Sequence, residues 1–271
     1  MLLTNKCISV ILLIVILNIN VKAQTKTIKG PIQYFPAEVY GGKVEFKRFV
    51  QQELHYPENA LKNKIEGTVE VACLVDLKGN PSKMHIKKSV SPELDNEAIR
   101  LYKMLLFIPS QFLGGHTIRY STLKFKFSAN NYKRLSKKRS NDYYEIQDSI
   151  NTTIYTDNLL KHKPKMIFED SLENISNFIY KNLKYPEGTL RLNITGSVKL
   201  FFVVETSGRI TNLKVVKDVG GGATNEAIRL LKMIDWQAGE LNGQKVRVRK
   251  EFEVNFNLTS GSGMDYVPKN Y

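Results

Sequence analysis

Apolar positions along this chain fall in blocks whose spacing changes from one block to the next. Phe46, Phe49, Val50 and Leu54 recur at three- and four-residue intervals, the spacing of one helix face, which predicts a helix from Val44 to Leu54. Tyr56-Pro57 ends it, because the residue before proline avoids the helical region, and Glu58 to Lys64 forms a second, brief helical stretch. After Gly67 the period falls to two. Val69, Val71, Cys73 and Val75 alternate with polar or smaller residues, as in a half-buried strand. The turn Asp76-Leu77-Lys78-Gly79-Asn80 reverses the chain into a second strand carrying Met84 and Ile86. A longer helix runs from about Pro92 to Leu105, striped by Leu94, Ala98, Leu101, Tyr102 and Leu105. Ser91 suits its N-cap, with proline at the first helical position. A last strand alternates Leu123, Phe125 and Phe127 with Lys124 and Lys126.

The same order of elements is written a second time, 129 residues further on. Tyr56-Pro57-Glu58 returns as Tyr185-Pro186-Glu187, Gly67 as Gly196, Gly79 as Gly208, and Asn96-Glu97-Ala98-Ile99-Arg100-Leu101 as Asn225-Glu226-Ala227-Ile228-Arg229-Leu230. The offset holds without a gap from Phe46 to Phe127 against Ile175 to Phe256. Two copies of this length are a pair of small domains, since solenoid units are shorter and need about three neighbours. Each copy reads helix, strand, strand, helix, strand, which predicts an α+β domain with a small antiparallel sheet, two helices on one face, and at least one open edge. The expected division is a leader over 1–23, an extension over 24–34, domains over 35–128 and 166–258, a basic linker over 129–165, and a flexible tail over 259–271.

The first 23 residues read as an export signal. Lys6 gives a positive start, Cys7 to Leu17 is an apolar run, and Ala23 is the small residue a signal peptidase requires. Asn18 and Asn20 cut the run short of the about 20 apolar residues of a spanning helix. A cleaved, periplasmic chain is therefore expected, the alternative being a single inner-membrane anchor. Cys7 precedes the apolar run, which argues against a lipoprotein attachment site. The remaining cysteine, Cys73, matches Phe202 and is expected to be a small buried hydrophobe, with no disulfide framework. The net charge is +14, and without Lys6 and Lys22 it is +12. Such an excess suits acidic partners such as lipid head groups or envelope polymers, and export makes nucleic acid the least suited of them. The run Lys133, Arg134, Lys137, Lys138 and Arg139 is either a solvated linker or a contact with such a surface.

Little else points to chemistry. His55, His85, His116 and His162 show no ligand spacing with one another or with Cys73, so no metal or cofactor is expected. No nucleophile motif is present. Gly220-Gly221-Gly222 aligns with Ser91-Pro92-Glu93 and reads as a variable connection rather than a phosphate loop. Glu97 and Glu226, near the start of the longer helix, are explained by the helix dipole.

The order of these motifs resembles the C-terminal domain of the TonB energy-transducer family, in the form common in Bacteroidetes-type bacteria. Copy 1 resembles it through Phe35-Pro36, Gly41-Gly42, Tyr56-Pro57, Gly67-Thr68-Val69, Asp76 to Gly79, Asp95 to Ile99 and Phe125-Lys126-Phe127. Copy 2 does so through Tyr185-Pro186, Gly196-Ser197-Val198, Ser207-Gly208, Asn225 to Ile228, Trp236-Gln237-Ala238-Gly239 and Asn242 to Val246. Tyr56, Pro57, Gly67, Gly79, Tyr185, Pro186, Gly196, Gly208 and Trp236 are taken as structural. The resemblance implies a non-enzymatic role, in which the domain binds an extended segment of an outer-membrane receptor as an added strand. The candidate edges are the last strands, with Arg119, Ser121, Leu123 and Phe125 in copy 1 and Arg247, Arg249, Glu251 and Phe252 in copy 2. Of these, Arg247, Arg249 and Glu251 are expected to point outward. Open edges also permit homodimerisation. The chain departs from the family in lacking a Pro-rich spacer, and copy 2 has Met166-Ile167-Phe168 in place of the Phe-Pro and Gly-Gly start. A cleaved leader would leave a protein that binds but cannot pull; a retained one would make it an energy transducer.

Overall fold

The computed structural model describes residues 33–137, 152–168 and 174–257. The leader, Lys138, Arg139 and the tail lie outside them. In copy 1, β1 (Tyr34–Phe35) and β2 (Glu38–Val39) lead into α1 (Gly42–Glu53) and the short α2 (Glu58–Lys62). The hairpin of β3 (Gly67–Val75) and β4 (Pro81–Lys88) follows, then α3 (Pro92–Met104). Three short strands, β5 (Phe107–Ile108), β6 (Ser110–Phe112) and β7 (Gly115–Thr117), precede the last strand, β8 (Arg119–Phe127). β3 lies between β4 and β8, antiparallel to both. Next come α4 (Ala129–Ser136), β9 (Ile154–Tyr155), a single 3-10 turn (Asp157–Leu159) and β10 (Lys165–Ile167). Copy 2 then repeats the plan with α5 (Ile175–Asn182), α6 (Glu187–Arg191), β11 (Gly196–Val204), β12 (Ile210–Lys217) and α7 (Ala223–Leu231). It ends in β13 (Asp235–Gln237), β14 (Gly239–Leu241) and the long β15 (Gln244–Phe256).

The repeated residues explain why both copies close in the same way. Tyr56 is buried, donates its hydroxyl to the Ile65 carbonyl (2.6 Å), and sets its ring edge-on to Phe127 at 5.7 Å. Tyr185 does the same to Phe256 at 5.7 Å, its hydroxyl on the Asn257 carbonyl. The Tyr-Pro turn thus fastens the helical start of each domain to its last strand. Gly79 sits at φ 87°, and a Cβ there would lie 1.9 Å from the Phe107 carbonyl oxygen; at Gly208 it would lie 2.2 Å from that of Trp236. The turn must pass against the chain leaving the longer helix, and only glycine allows it.

Glu97 corrects the helix-dipole expectation, whereas Glu226 does stand in the first turn of α7 and carries a second role besides. Glu97 sits in the second turn of α3, where it accepts the His55 N–H (2.7 Å) and is forked by Arg100, which also donates to the Glu53 carbonyl at 2.5 Å. Glu226 accepts the Lys184 N–H (2.6 Å) and is forked by Arg229, which donates to the Asn182 carbonyl at 2.6 Å. The repeated Asn-Glu-Ala-Ile-Arg is a latch that holds the end of α1 to α3 and the end of α5 to α7. It satisfies carbonyls that a helix end leaves unpaired.

Each copy has its own core. Cys73, Tyr102 and Phe107 fill copy 1 where Phe202, Leu231 and Trp236 fill copy 2. Tyr102 stacks on Phe107 at 5.3 Å, and Phe202 meets Trp236 at 5.2 Å. Large and small side chains exchange places between the two cores at positions 73 and 102, against 202 and 231. Burial pushes the Cys73 thiol up.

The stretch expected as a basic linker, 129–165, carries short elements where it is described. Ala129 is buried and donates its N–H to Glu66, and Tyr132 lies 5.4 Å from Tyr56. β10 pairs with β13 across Met166 and Trp236, as β2 pairs with β5. Strands of two or three residues are too short to show a period, so the sequence pattern misses them. The two copies pack into one compact unit. Tyr40 meets Phe201 edge-on at 5.8 Å, Lys214 lies over the Tyr40 ring at 4.8 Å, and Lys232 pairs with Glu45 at 2.6 Å.

Candidate partner-binding edges

β8 pairs with β3 along its whole length, from Arg119 opposite Val75 to Phe127 opposite Gly67. On its other side no strand pairs with it among the described residues. Arg119, Tyr120, Thr122, Lys124 and Lys126 are exposed, Ser121 and Leu123 are half-buried, and Phe125 is wholly in the core. An added strand would therefore meet the backbone at Phe125 but not its side chain. Lys124 reaches across the sheet to Glu70 at 3.1 Å, and that hydrogen bond holds the Glu70 carboxyl below its ordinary value.

The matching strand of copy 2 is arranged differently. Arg247, expected to point outward, is 2% exposed on its side chain and sealed against Glu205, itself 1% exposed. Its Nε and Nη2 donate to the two Glu205 oxygens at 2.7 and 2.9 Å, Nη2 also donates to the Met104 carbonyl at 2.7 Å, and Nη1 donates to that of Thr152 at 2.9 Å. Thr211 donates its hydroxyl to the same carboxylate. Burial of a charge demands this density of partners. Asn212 completes a clasp on copy 1. Its Nδ2 donates to the Met104 carbonyl (3.0 Å) and its Oδ1 accepts the Leu106 N–H (2.7 Å). The copy-1 counterparts of Glu205, Asn212 and Arg247 are Asp76, Lys83 and Ile118, so the clasp exists once. Sequence reasoning had no signal for it, because the groups it captures are backbone atoms of the other copy.

Of the other copy-2 candidates, Arg249 and Glu251 are exposed and Phe252 is buried. Glu251 pairs with Lys199 at 2.7 Å. The far side of β15 is partly filled by the chain itself. β9 runs parallel to it, Ile154 beside Arg247 and Tyr155 beside Val248. Val248 already faces Val204 of β11 on the other side, so β9 lies on the side where an incoming strand would add. Asp157 ties the following turn to Lys250 at 2.5 Å, and Leu160, Val246 and Val248 form a small cluster with Tyr155 and Leu241.

The remaining candidates lie apart from these edges. Lys133, Arg134 and Lys137 are exposed around a shallow concavity on α4 with Asn130; Lys138 and Arg139 lie outside the described residues. At Gly220–Gly222, Asp218 accepts the Gly220 N–H and the Thr224 hydroxyl, so a carboxylate already serves the start of α7. Among the described residues no three His, Cys, Asp or Glu side chains gather as a metal site, and no helix is long and apolar enough to cross a membrane.

Two small α+β modules, each with its first long strand between the second and the last in an antiparallel sheet packed against helices, present the edges of their sheets. The family model of the Gram-negative bacterial TonB protein C-terminal matches twice, over residues 52–128 and 181–258. These matches cover more than half of the chain, which therefore belongs to that family of envelope interaction and energy-transducer domains. No curated protein matches it.

Proposed function

We propose that this is a non-enzymatic, exported protein of the TonB-dependent transport type, which binds an extended segment of an outer-membrane receptor or other envelope protein by strand addition. The observation that carries the reading is the nine-residue last strand of copy 1, β8, unpaired along its outer side among the described residues. Unsatisfied backbone groups along such a strand give affinity for any extended chain, and alternate side chains select among them. The test is binding of synthetic peptides from the periplasmic ends of outer-membrane receptors to the full chain by calorimetry. Micromolar binding that slows amide exchange in a last strand is expected; failure of every such peptide removes the reading. N-terminal sequencing and membrane partition of the cellular protein separate two forms of it. A soluble chain beginning at Gln24 is a binder, whereas a membrane-bound chain keeping Met1 is a transducer.

The exposed Lys133, Arg134 and Lys137 favour a second reading, an envelope-anion contact. Salt-insensitive or absent binding to isolated envelope polymers would exclude it.

A further inference from the structure

We propose that the chain takes one extended protein segment per molecule, laid along β8, that this segment is acidic, and that copy 2 takes none. The inference rests on the strand-addition reading above and adds which edge is used and by what chemistry.

The first argument is occupancy. β9 occupies the outer side of β15 at Arg247 and Val248, held by the Arg247 bond to Thr152, the Lys250–Asp157 pair and the Leu160 cluster. A second strand there would have to displace a segment already hydrogen-bonded and packed. At the equivalent Ile118 and Arg119 no further strand pairs among the described residues, and Ile118 and Tyr120 are 49% and 57% exposed. Copy 2 has a second covered flank. Ile210, Thr211, Asn212 and Leu213 of β12 are buried, in part by copy 1, where Ser82 and Lys83 of β4 are exposed.

The second argument is charge. β8 carries Arg119, Lys124 and Lys126 and no acid; the same positions in copy 2 hold Val248, Glu253 and Asn255. Lys83, Lys87 and Lys88 are exposed on β4, the opposite edge of the same sheet, and Glu70 is the one acid on β3, the strand between the two edges. Residues two apart on a strand share a face, so a strand beside β8 presents one residue to Tyr120 and others to Lys124 and Lys126. Cross-strand pairing favours opposite charges at the last two and an apolar or aromatic side chain at the first.

The experiment titrates the full chain at low salt with a nine-residue peptide alternating Val and Glu, and with its Val and Lys counterpart, reading calorimetry and amide exchange together. One site per chain is expected, with slowed exchange in residues 119–127 and none in 244–256, and the acidic peptide at least about tenfold tighter. The K124E/K126E variant, changed only at exposed positions, should invert that preference. Protection of 244–256, or two sites per chain, overturns the single-edge inference while leaving strand addition standing. Equal affinity for the two peptides overturns the acidic partner. Protection, before any peptide is added, of the β8 amides that face away from β3 means that a second copy or the chain's own residues hold the edge, which also overturns it. Binding of neither peptide, together with failure of all receptor peptides, removes the underlying reading.

Discussion

Where copy 1 places Ile118 half in solvent at the start of its last strand, copy 2 places Arg247 out of solvent, between Glu205 and two backbone carbonyls from other parts of the chain. The same position of the same fold is a surface in one case and an anchor in the other. Copy 1 lends its helix end, at Met104 and Leu106, and keeps its sheet exposed. Copy 2 receives that end and accepts β9 on its last strand. A duplication has thus produced one open module and one platform, and the difference rests on a few polar residues, since the two hydrophobic cores are equivalent.

Breaking the anchor should have the largest effect. Arg247→Ile installs the copy-1 residue and leaves Glu205 buried without its cation, which should cost about 3–5 kcal/mol of unfolding free energy, measured by urea denaturation. Pairing it with Glu205→Ala should return part of that loss. Asn212→Gly is the milder form. Glycine holds the left-handed backbone of Asn212, φ 52°, without strain, so the substitution removes the side chain of the clasp and introduces no buried charge. A loss of about 2 kcal/mol is expected from the freed Met104 and Leu106 groups, and the single unfolding transition should begin to separate into two.

Glu226 gives the smallest and most selective probe. Burial works to raise its pKa, but the Arg229 and Lys184 hydrogen bonds and their charges outweigh burial and hold the carboxyl below its ordinary value. A folded value below the unfolded one means that the stabilisation is complete above the unfolded pKa of about 4.5 and is lost as pH falls through the folded value. Stability measured from neutral to acid pH should therefore fall less steeply in Glu226→Gln than in the parent. An unchanged slope would show that the copy-2 latch contributes nothing to the acid sensitivity.

The longer helices, hairpins and last strands were legible because their cores repeat at helical or strand periods and because the repeat writes each of them twice. Even the Ser91 cap was readable, with the Leu94 N–H on its hydroxyl at 3.4 Å. What escaped was relational. Arg247 looks like one more charge in an alternating strand, and its partners Glu205, Thr152 and Met104 are all far from it in sequence. β9 has two residues and no period, and it owes its strand conformation to β15. Glu97 and Glu226 carried the right residue type for a dipole, yet their partners are backbone groups more than forty residues away along the chain.

The clasp joins two unlike surfaces of one fold, the helix end of the first module and the sheet of the second. Such a contact has the geometry of a growing filament, since each added chain would bring both surfaces again. The exposed sheet of copy 1 offers Lys83 and Ile118 where a further helix end would need Asn212 and Arg247, so that sheet lacks the residues for a second clasp.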